Sequence, residues 1–432
     1  MTSPAAMSPG DVVGVRVRAL ASSGAGVADL PDGRVVFVHR TAPDDRVEIR
    51  LGRIRPRWAT GRLTRIVEPG GSRVDAPCRL YPACGGCTLQ HLEYDAQLTW
   101  KARFVADALE RIGKVRVGIP AVEPSPRRLR YRNRVTFTLR RLRDGSVVAG
   151  FHGLADPDEL VDVDGACLLP EPSILRAWEA LRGCWGVGAA ALPEGRELRL
   201  TLRLTDDGVV LFVKGGQRSW QAPGLLGAVP DLVSVWHQPF GGRRARLVQG
   251  RQAFDRWRGE RLPVAGRGFL QVNREAAEPM TERVLERAPA EVGTCIDGYC
   301  GVGVYGRALA RRGWNVTGIE MEPEAVAAAR RDAPPGFHAV EGSMERELEA
   351  HLPADFAILN PPRSGLDERV TETLSRIPPR HIAYVSCDPA TLARDVARLH
   401  NRYRVAHVEA FDLFPQTAHV ETLAVLDRVP EA

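Results

Sequence analysis

Residues 294–320, "TCIDGYCGVGVYGRALARRGWNVTGIE", decide the fold. "TCIDGYC" reads as a buried strand, "GVYGRALARRG" as a helix and "WNVTGIE" as a second strand. The joining loop is rich in glycine, which lets a ligand approach the backbone closely. Glu320 closes the second strand and is placed to accept hydrogen bonds from a ribose. The loop runs G-Y-C-G-V-G-V-Y-G, and Gly301, Gly303 and Gly306 keep the GxGxxG spacing of nucleotide-binding loops. The later "NPPR", which dehydrogenases do not need, makes an adenosyl ligand a better fit than a nicotinamide dinucleotide.

The rhythm continues toward the C-terminus. "EPEAVAAARRDA" reads as a helix, and "FHAVEGS", which ends on Ser343, as a strand. "DFAILNPP" carries Asn360 at its end, "DERVTETLSRI" is helical, and "HIAYVS", residues 381–386, is a short apolar strand. "DPATLARDVARL" begins a helix with Asp388 as N-cap and Pro389 at the first helical position. This alternation predicts an α/β, doubly wound parallel sheet. The tail, residues 403–429, reads as two further strands joined by a short loop. Cys387 falls on the turn between a strand's carboxyl end and a helix N-terminus. Ligands bind at such ends, and the helix terminus is expected to favour thiolate over thiol. Asp388 opposes that effect and Arg363 offsets it.

Toward the N-terminus the pattern is different. Residues 8–70 alternate strand-like runs with Gly and Asp-Gly turns, which predicts a small β-barrel. Arg53, Arg55, Arg57 and Trp58 would suit a nucleic-acid face or an ordinary solvated edge. Residues 75–92 hold three cysteines, and "YDAQLTWKARFVADALERIG" reads as an amphipathic helix. From 120 to 260 the chain is mixed and strand-rich. Within it "RRLRYRNRVTFTLRRLR", residues 127–143, reads as a basic strand pair with an aromatic at Tyr131, which would suit a phosphate backbone or a solvated edge.

Composition sets the frame. With 432 residues, two to four domains are expected. A net charge of +6 leans toward a polyanionic partner. Arginine counts carry no weight here, because only Lys101, Lys114 and Lys214 are lysines. No run approaches a membrane span, and the start lacks a signal peptide's pattern, so a cytoplasmic location is expected. In a reducing compartment, clustered cysteines point to metal or catalysis rather than disulfides.

Taken together, "DGYCGVGVYG", "NPPRSGL", "YVSCDPATLARD" and "FPQTAHVET" resemble the RNA uracil-5-methyltransferase family in order and spacing. "FLQVN", residues 269–273, the "CGGC" loop and an N-terminal barrel similar to the TRAM domain extend the resemblance over almost the whole chain. It implies a Rossmann-like class I methyltransferase domain over 93–119 and 261–432. The TRAM-like, OB-like barrel would span 8–70, and the central domain 75–92 with 120–260. It also implies that the helix near 95–113 packs on the catalytic domain. Cys387 would be the nucleophile and Glu421 the general base. Gln271, Tyr299, Glu320 and Ser343 would line the S-adenosylmethionine site, and Asn360 would contact the target base. The expected partner is RNA, ribosomal RNA first and transfer RNA second, with no membrane and no obligate protein partner.

The chemistry is consistent with those roles. Carbon 5 of uracil is too weak a nucleophile to take a methyl group unaided. A thiolate added at carbon 6 makes the ring an enolate, and a base must later remove the carbon 5 proton. Two departures stand out. The family usually has Asp at Asn360; an asparagine offers both acceptor and donors, so uracil and cytosine each fit it. Val304 stands where a polar residue is usual.

Cys78, Cys84 and Cys87 are spaced C-x5-C-x2-C, and "DGACLLP" adds Cys167. Four thiolates suit zinc or an iron–sulfur cluster. Resemblance to the iron–sulfur members of the family implies a 4Fe–4S cluster, with zinc the alternative. Cys184 reads as a spectator, and Cys295 and Cys300 as structural.

Overall fold

The computed structural model describes residues 7–222, 224–242, 244–264 and 270–430. Strands Val12–Leu20, Gly26–Asp29, Val35–Val38, Arg46–Ile54 and Trp58–Glu68 close into a barrel. Alternation explains it: Val15, Val17, Val36, Val38, Val47 and Ile49 point inward, while Arg16 and Arg18 lie outside. Arg53, Arg55, Arg57 and Trp58 are exposed.

The middle of the chain forms a seven-stranded sheet. Its order is Arg246–Gly250, Leu232–Gln238, Gly208–Lys214, Glu197–Thr205, Arg134–Arg141, Val147–His152 and Leu160–Asp162. The helix Pro172–Cys184 covers it, with Trp178 stacked on Phe137 at 4.1 Å between ring centroids. The basic stretch 127–143 departs from expectation. Only Arg134–Arg141 is a strand, and it lies inside the sheet rather than forming a pair of its own. Tyr131 is fully buried, and its hydroxyl donates to the Pro415 carbonyl at 3.1 Å. Val135, Phe137 and Leu139 decide this: their burial outweighs the preference of the flanking arginines for water. A hairpin, Ala253–Trp257 with Glu260–Val264, joins this sheet to the next layer through Asp255, which pairs with Arg203 at 3.0 Å.

The C-terminal sheet has eight strands. Their order is Phe337–Glu341, Asn315–Glu320, Thr294–Gly298, Phe356–Leu359, His381–Ser386, Glu421–Arg428, Tyr403–Phe411 and Val122–Glu123. The first five are mutually parallel. Glu421–Arg428 is antiparallel to both its neighbours. The doubly wound sheet expected from the sequence is thus present, with an antiparallel pair added at one side. Asp388 caps the helix Pro389–Leu399 by accepting from the amides of Ala390 and Thr391.

The helix Tyr94–Arg111 packs on Pro389–Leu399, with Val105 and Leu109 in the same core as Leu392 and Val396. Lys101 on this helix is fully buried, and its ammonium donates to Asp412 and to the Phe414 carbonyl. Tyr94 donates to the other Asp412 oxygen at 2.9 Å. Removing one partner of such a pair leaves the other charge buried. Lys101→Met is therefore expected to lower stability by about 3–5 kcal/mol, read from a denaturant midpoint. No helix among the described residues is long and apolar enough to cross a membrane.

Candidate active site

Strand register assembles the site. The parallel pairs Gly298–Ile319, Glu320–Glu341, Gly298–Leu359 and Leu359–Tyr384 bring the carboxyl ends of five strands level. Tyr299, Glu320, Ser343, Asn360 and Cys387 all lie at or just past those ends. The antiparallel pair Ser386–Thr422 continues one residue further to set Cys387 across from Glu421.

Glu421 is buried, and burial pushes its carboxyl up to about 7, with Arg363 pulling the other way. Burial also pushes the Cys387 thiol up to about 11; Glu421 and Asp388 add to this, and Arg363 opposes it. The expected gain of thiolate from the helix terminus is therefore not met. The amides of that terminus are spent on the Asp388 side chain. Burial and a facing carboxylate outweigh Arg363. Arg363 also donates to His419 at 3.4 Å.

The raised Glu421 pKa has a stability consequence. An acid whose folded pKa lies above its unfolded value stabilises the fold fully below about pH 4.3, and that contribution is lost as pH rises through about 7. Glu421→Gln is accordingly expected to be more stable than the parent above pH 8, by about 3 kcal/mol, and to be level with it near pH 4. Denaturant titrations at the two pH values check this.

The segment leading to Glu421 is held from outside its own sheet. The amides of Thr88 and Leu89 both donate to the Gln416 carbonyl at 3.0 Å, and the Thr88 hydroxyl accepts from the Ala418 amide at 2.9 Å. Gln416 takes a positive φ of 70° and exchanges hydrogen bonds with Gln97. Beside this loop lies a cavity of about 240 Å³, lined by Ser22 and Ser23 of the barrel, Thr88, Arg132, Arg363 and His419. It sits where the barrel, the cysteine loop and the loop before Glu421 meet.

The glycine loop offers a second, polar hollow. Glu320 accepts from the amides of Gly301 and Glu322 at 3.0 and 2.8 Å, which fixes its carboxylate at the strand end. Gly301 and Gly303 take positive φ, as close approach of the backbone to a ligand requires. Asp297, not singled out in the sequence, is fully buried, and burial raises its carboxyl to about 7. One Asp297 oxygen accepts from Gly306; its other oxygen and the Tyr299 hydroxyl are buried with no partner among the described residues. Unpaired polar atoms beside a glycine loop fit a polar ligand such as S-adenosylmethionine. The only sequence signal for Asp297 was its place at the head of "DGYCGVGVYG".

Two predicted residues are less closely tied in. Ser343 precedes the short helix Met344–Glu347, and its side chain makes no capping bond. Gln271 is half-buried, and its carbonyl accepts from Asn133 at 3.2 Å. Asn273, two residues on, caps the helix Arg274–Glu286 and donates to the Leu413 carbonyl. Phe269 of "FLQVN" lies outside the described residues.

Cys78, Cys84, Cys87 and Cys167 are all buried and line one cavity. Burial pushes Cys87 up to about 11 and Cys167 up to about 12. Arg40 donates to the carbonyls of Cys84 and Cys87, and Arg130 to that of Cys167. Among the described residues no three His, Cys, Asp or Glu side chains converge closely enough to hold a single ion.

Comparison with known proteins accords with this architecture. The family profile described as tRNA (Uracil-5-)-methyltransferase matches residues 348–429, and that of the TRAM domain residues 8–64. An uncharacterized RNA methyltransferase of Halalkalibacterium halodurans is 32% identical, with 98% of each chain covered. One from Gloeobacter violaceus is 34% identical with the same coverage. The crystal structure of the Pyrococcus abyssi tRNA (uracil-54, C5)-methyltransferase in complex with S-adenosyl-L-homocysteine superimposes with a TM-score of 0.72 at 26% identity, covering 96% of this chain and 100% of that one. Such full-length likeness, joined to the barrel and the doubly wound sheet, means that the chain belongs to the RNA uracil-5-methyltransferase family and is an S-adenosylmethionine-dependent enzyme.

Proposed function

We propose that the chain methylates carbon 5 of a uridine in structured RNA through a covalent adduct between Cys387 and carbon 6. The observation that carries this is the facing pair of Cys387 and Glu421 at the sheet's carboxyl edge, with Arg363 beside both. A lone buried thiol would need no carboxylate opposite it. The Cys387 thiol loses its proton to solvent, which leaves Glu421 unprotonated; the thiolate bonds to carbon 6, and the electron pair of the 5,6 double bond moves onto carbon 5 and the carbonyl. Carbon 5 then takes the methyl group from the sulfonium of S-adenosylmethionine. Glu421 removes the carbon 5 proton, the 5,6 double bond re-forms, and the thiolate leaves. Arg363 balances the negative charge that the thiolate and carboxylate share. Asp297, Tyr299 and Glu320 would hold the methyl donor, with Gln271 and Ser343 as further contacts. Asn360 would face the base.

The cavity between barrel, cysteine loop and Arg363 suits a nucleotide drawn out of its stack. Ribosomal RNA is the first candidate substrate; transfer RNA is second and is favoured by the likeness to the Pyrococcus abyssi enzyme. Incubating the protein with isotopically labelled methyl donor and either RNA, followed by nucleoside mass spectrometry, tests this. Label in 5-methyluridine is expected. Label in 5-methylcytidine would reassign the base, and no label in either RNA would refute the reading.

The same proposal places a 4Fe–4S cluster on Cys78, Cys84, Cys87 and Cys167, as the group that holds the cysteine loop in shape. Zinc, with bonds of about 2.3 Å, needs its sulfurs drawn to one point. All four thiols line one hollow of about 20 Å³, and the resemblance to the iron–sulfur members of the family is what favours the cluster over zinc. Purified protein is expected to contain iron and acid-labile sulfide, and Cys84→Ala to lose both. Stoichiometric zinc with no iron would overturn the assignment.

A further inference from the structure

The seven-stranded sheet ends in an exposed aromatic among unneutralised cations. Phe240 is 87% exposed, the most exposed aromatic among the described residues. Its presentation is built rather than loose. Its amide donates to the Gly216 carbonyl at 3.0 Å, and the Gly242 amide closes a turn on Pro239 at 2.9 Å. The Gln238 side chain donates to the Gly242 carbonyl at 2.7 Å, and Gly241 takes a φ of 71°. The adjoining strand is pinned as well: Arg246 donates to the carbonyls of Arg218 and Trp220. These bonds fix the turn and with it the place of the ring in water.

Register gathers positive charge around it. Lys214 pairs with Gln238, and His237 with Arg246, so Lys214, Arg218, Arg244 and Arg246 share this end of the sheet, all exposed. Neither residues 212–222 nor residues 236–252 contain an acid. The neighbouring strands add a groove lined by Arg140, Arg141, Arg143, Glu194 and Arg196. Of the acids there, Glu197 is taken by Arg140 at 2.9 Å, which leaves Glu194 and, next to Arg143, Asp144, whose carboxylate accepts from Ser146, against the remaining arginines. The opposite end of the sheet is the one that touches the catalytic side, through Arg203 and Asp255. The strand Arg134–Arg141 separates the two ends by about 25 Å at roughly 3.3 Å per residue.

We propose that this end of the central sheet is a second RNA-docking surface, on which Phe240 stacks on an unpaired base while Lys214, Arg218, Arg244 and Arg246 face the phosphates on either side. It rests on the reading of the chain as an RNA methyltransferase and adds a distal contact beyond the target nucleotide. Aromatic stacking accepts any base, and the cations follow the backbone, so the surface recognises shape rather than sequence.

The test uses full-length protein with intact ribosomal RNA or transfer RNA, whichever the wild type methylates. Phe240→Ala is expected to weaken binding about tenfold, with turnover at saturating RNA unchanged and Phe240→Trp restoring affinity. Arg218→Glu with Arg244→Glu is expected to weaken binding and to flatten the dependence of log K on log salt by roughly one for each phosphate no longer neutralised. A short oligonucleotide that spans only the target is expected to bind Phe240→Ala and wild type alike. Unchanged affinity of Phe240→Ala for the long RNA, in a protein that still methylates it, would overturn the surface alone. A loss seen only with intact ribonucleoprotein particles, and not with naked RNA, would reassign it to a protein partner. Failure of the wild type to methylate any RNA would instead remove the reading beneath it.

Discussion

Replacing Cys387 with alanine is expected to abolish methyl transfer, with a fall in turnover of at least about 10⁴-fold. RNA binding should persist, because the thiol contributes one small contact among many. The argument lies in the electronics of the base. Without sulfur on carbon 6, carbon 5 has no electron pair to offer, and no other side chain at the strand edge supplies one. Glu421 stands opposite but is an oxygen base, and Asn360 is neutral. Single-turnover assays with labelled methyl donor, run beside a filter-binding measurement, separate the two effects. Methylation that continued at even a hundredth of the parental rate would eliminate the adduct from the mechanism.

Glu421→Gln is expected to fail at a later step. Glutamine keeps the shape but cannot take a proton, so addition and methyl transfer proceed while release does not. The result is a protein–RNA adduct that survives denaturing electrophoresis, with turnover reduced by about 10²–10⁴. This variant is also the one expected to gain stability at alkaline pH, so slow turnover there cannot be blamed on unfolding. The double variant Cys387→Ala with Glu421→Gln should show no adduct, which ties the trapped band to the sulfur.

Local signals made much of the architecture legible. The strand 381–386 and the helix cap at Asp388 depend on residues within a few positions of one another, as do the barrel strands. What escaped depends on contacts distant in sequence. Tyr131 sits between arginines, and nothing near it announces that a neighbouring sheet will bury it against Pro415. The raised Cys387 pKa is not legible in the sequence because burial, its main cause, and Glu421, 34 residues away and facing it only through strand register, both arise in the folded sheet. Asp297 was visible as part of a motif, but its unpaired oxygen appears only once the loop has closed over it.

The helix Tyr94–Arg111 precedes the central sheet in the chain, yet its buried lysine completes the catalytic layer. The catalytic half is consequently not portable. A fragment beginning near residue 290 would keep every strand end described above but would leave Asp412 without its cation and the face of Pro389–Leu399 bare. Recombination that exchanges modules at a single junction would break this protein; only an exchange with two crossovers, one on each side of the inserted sheet, would carry its chemistry intact into another chain.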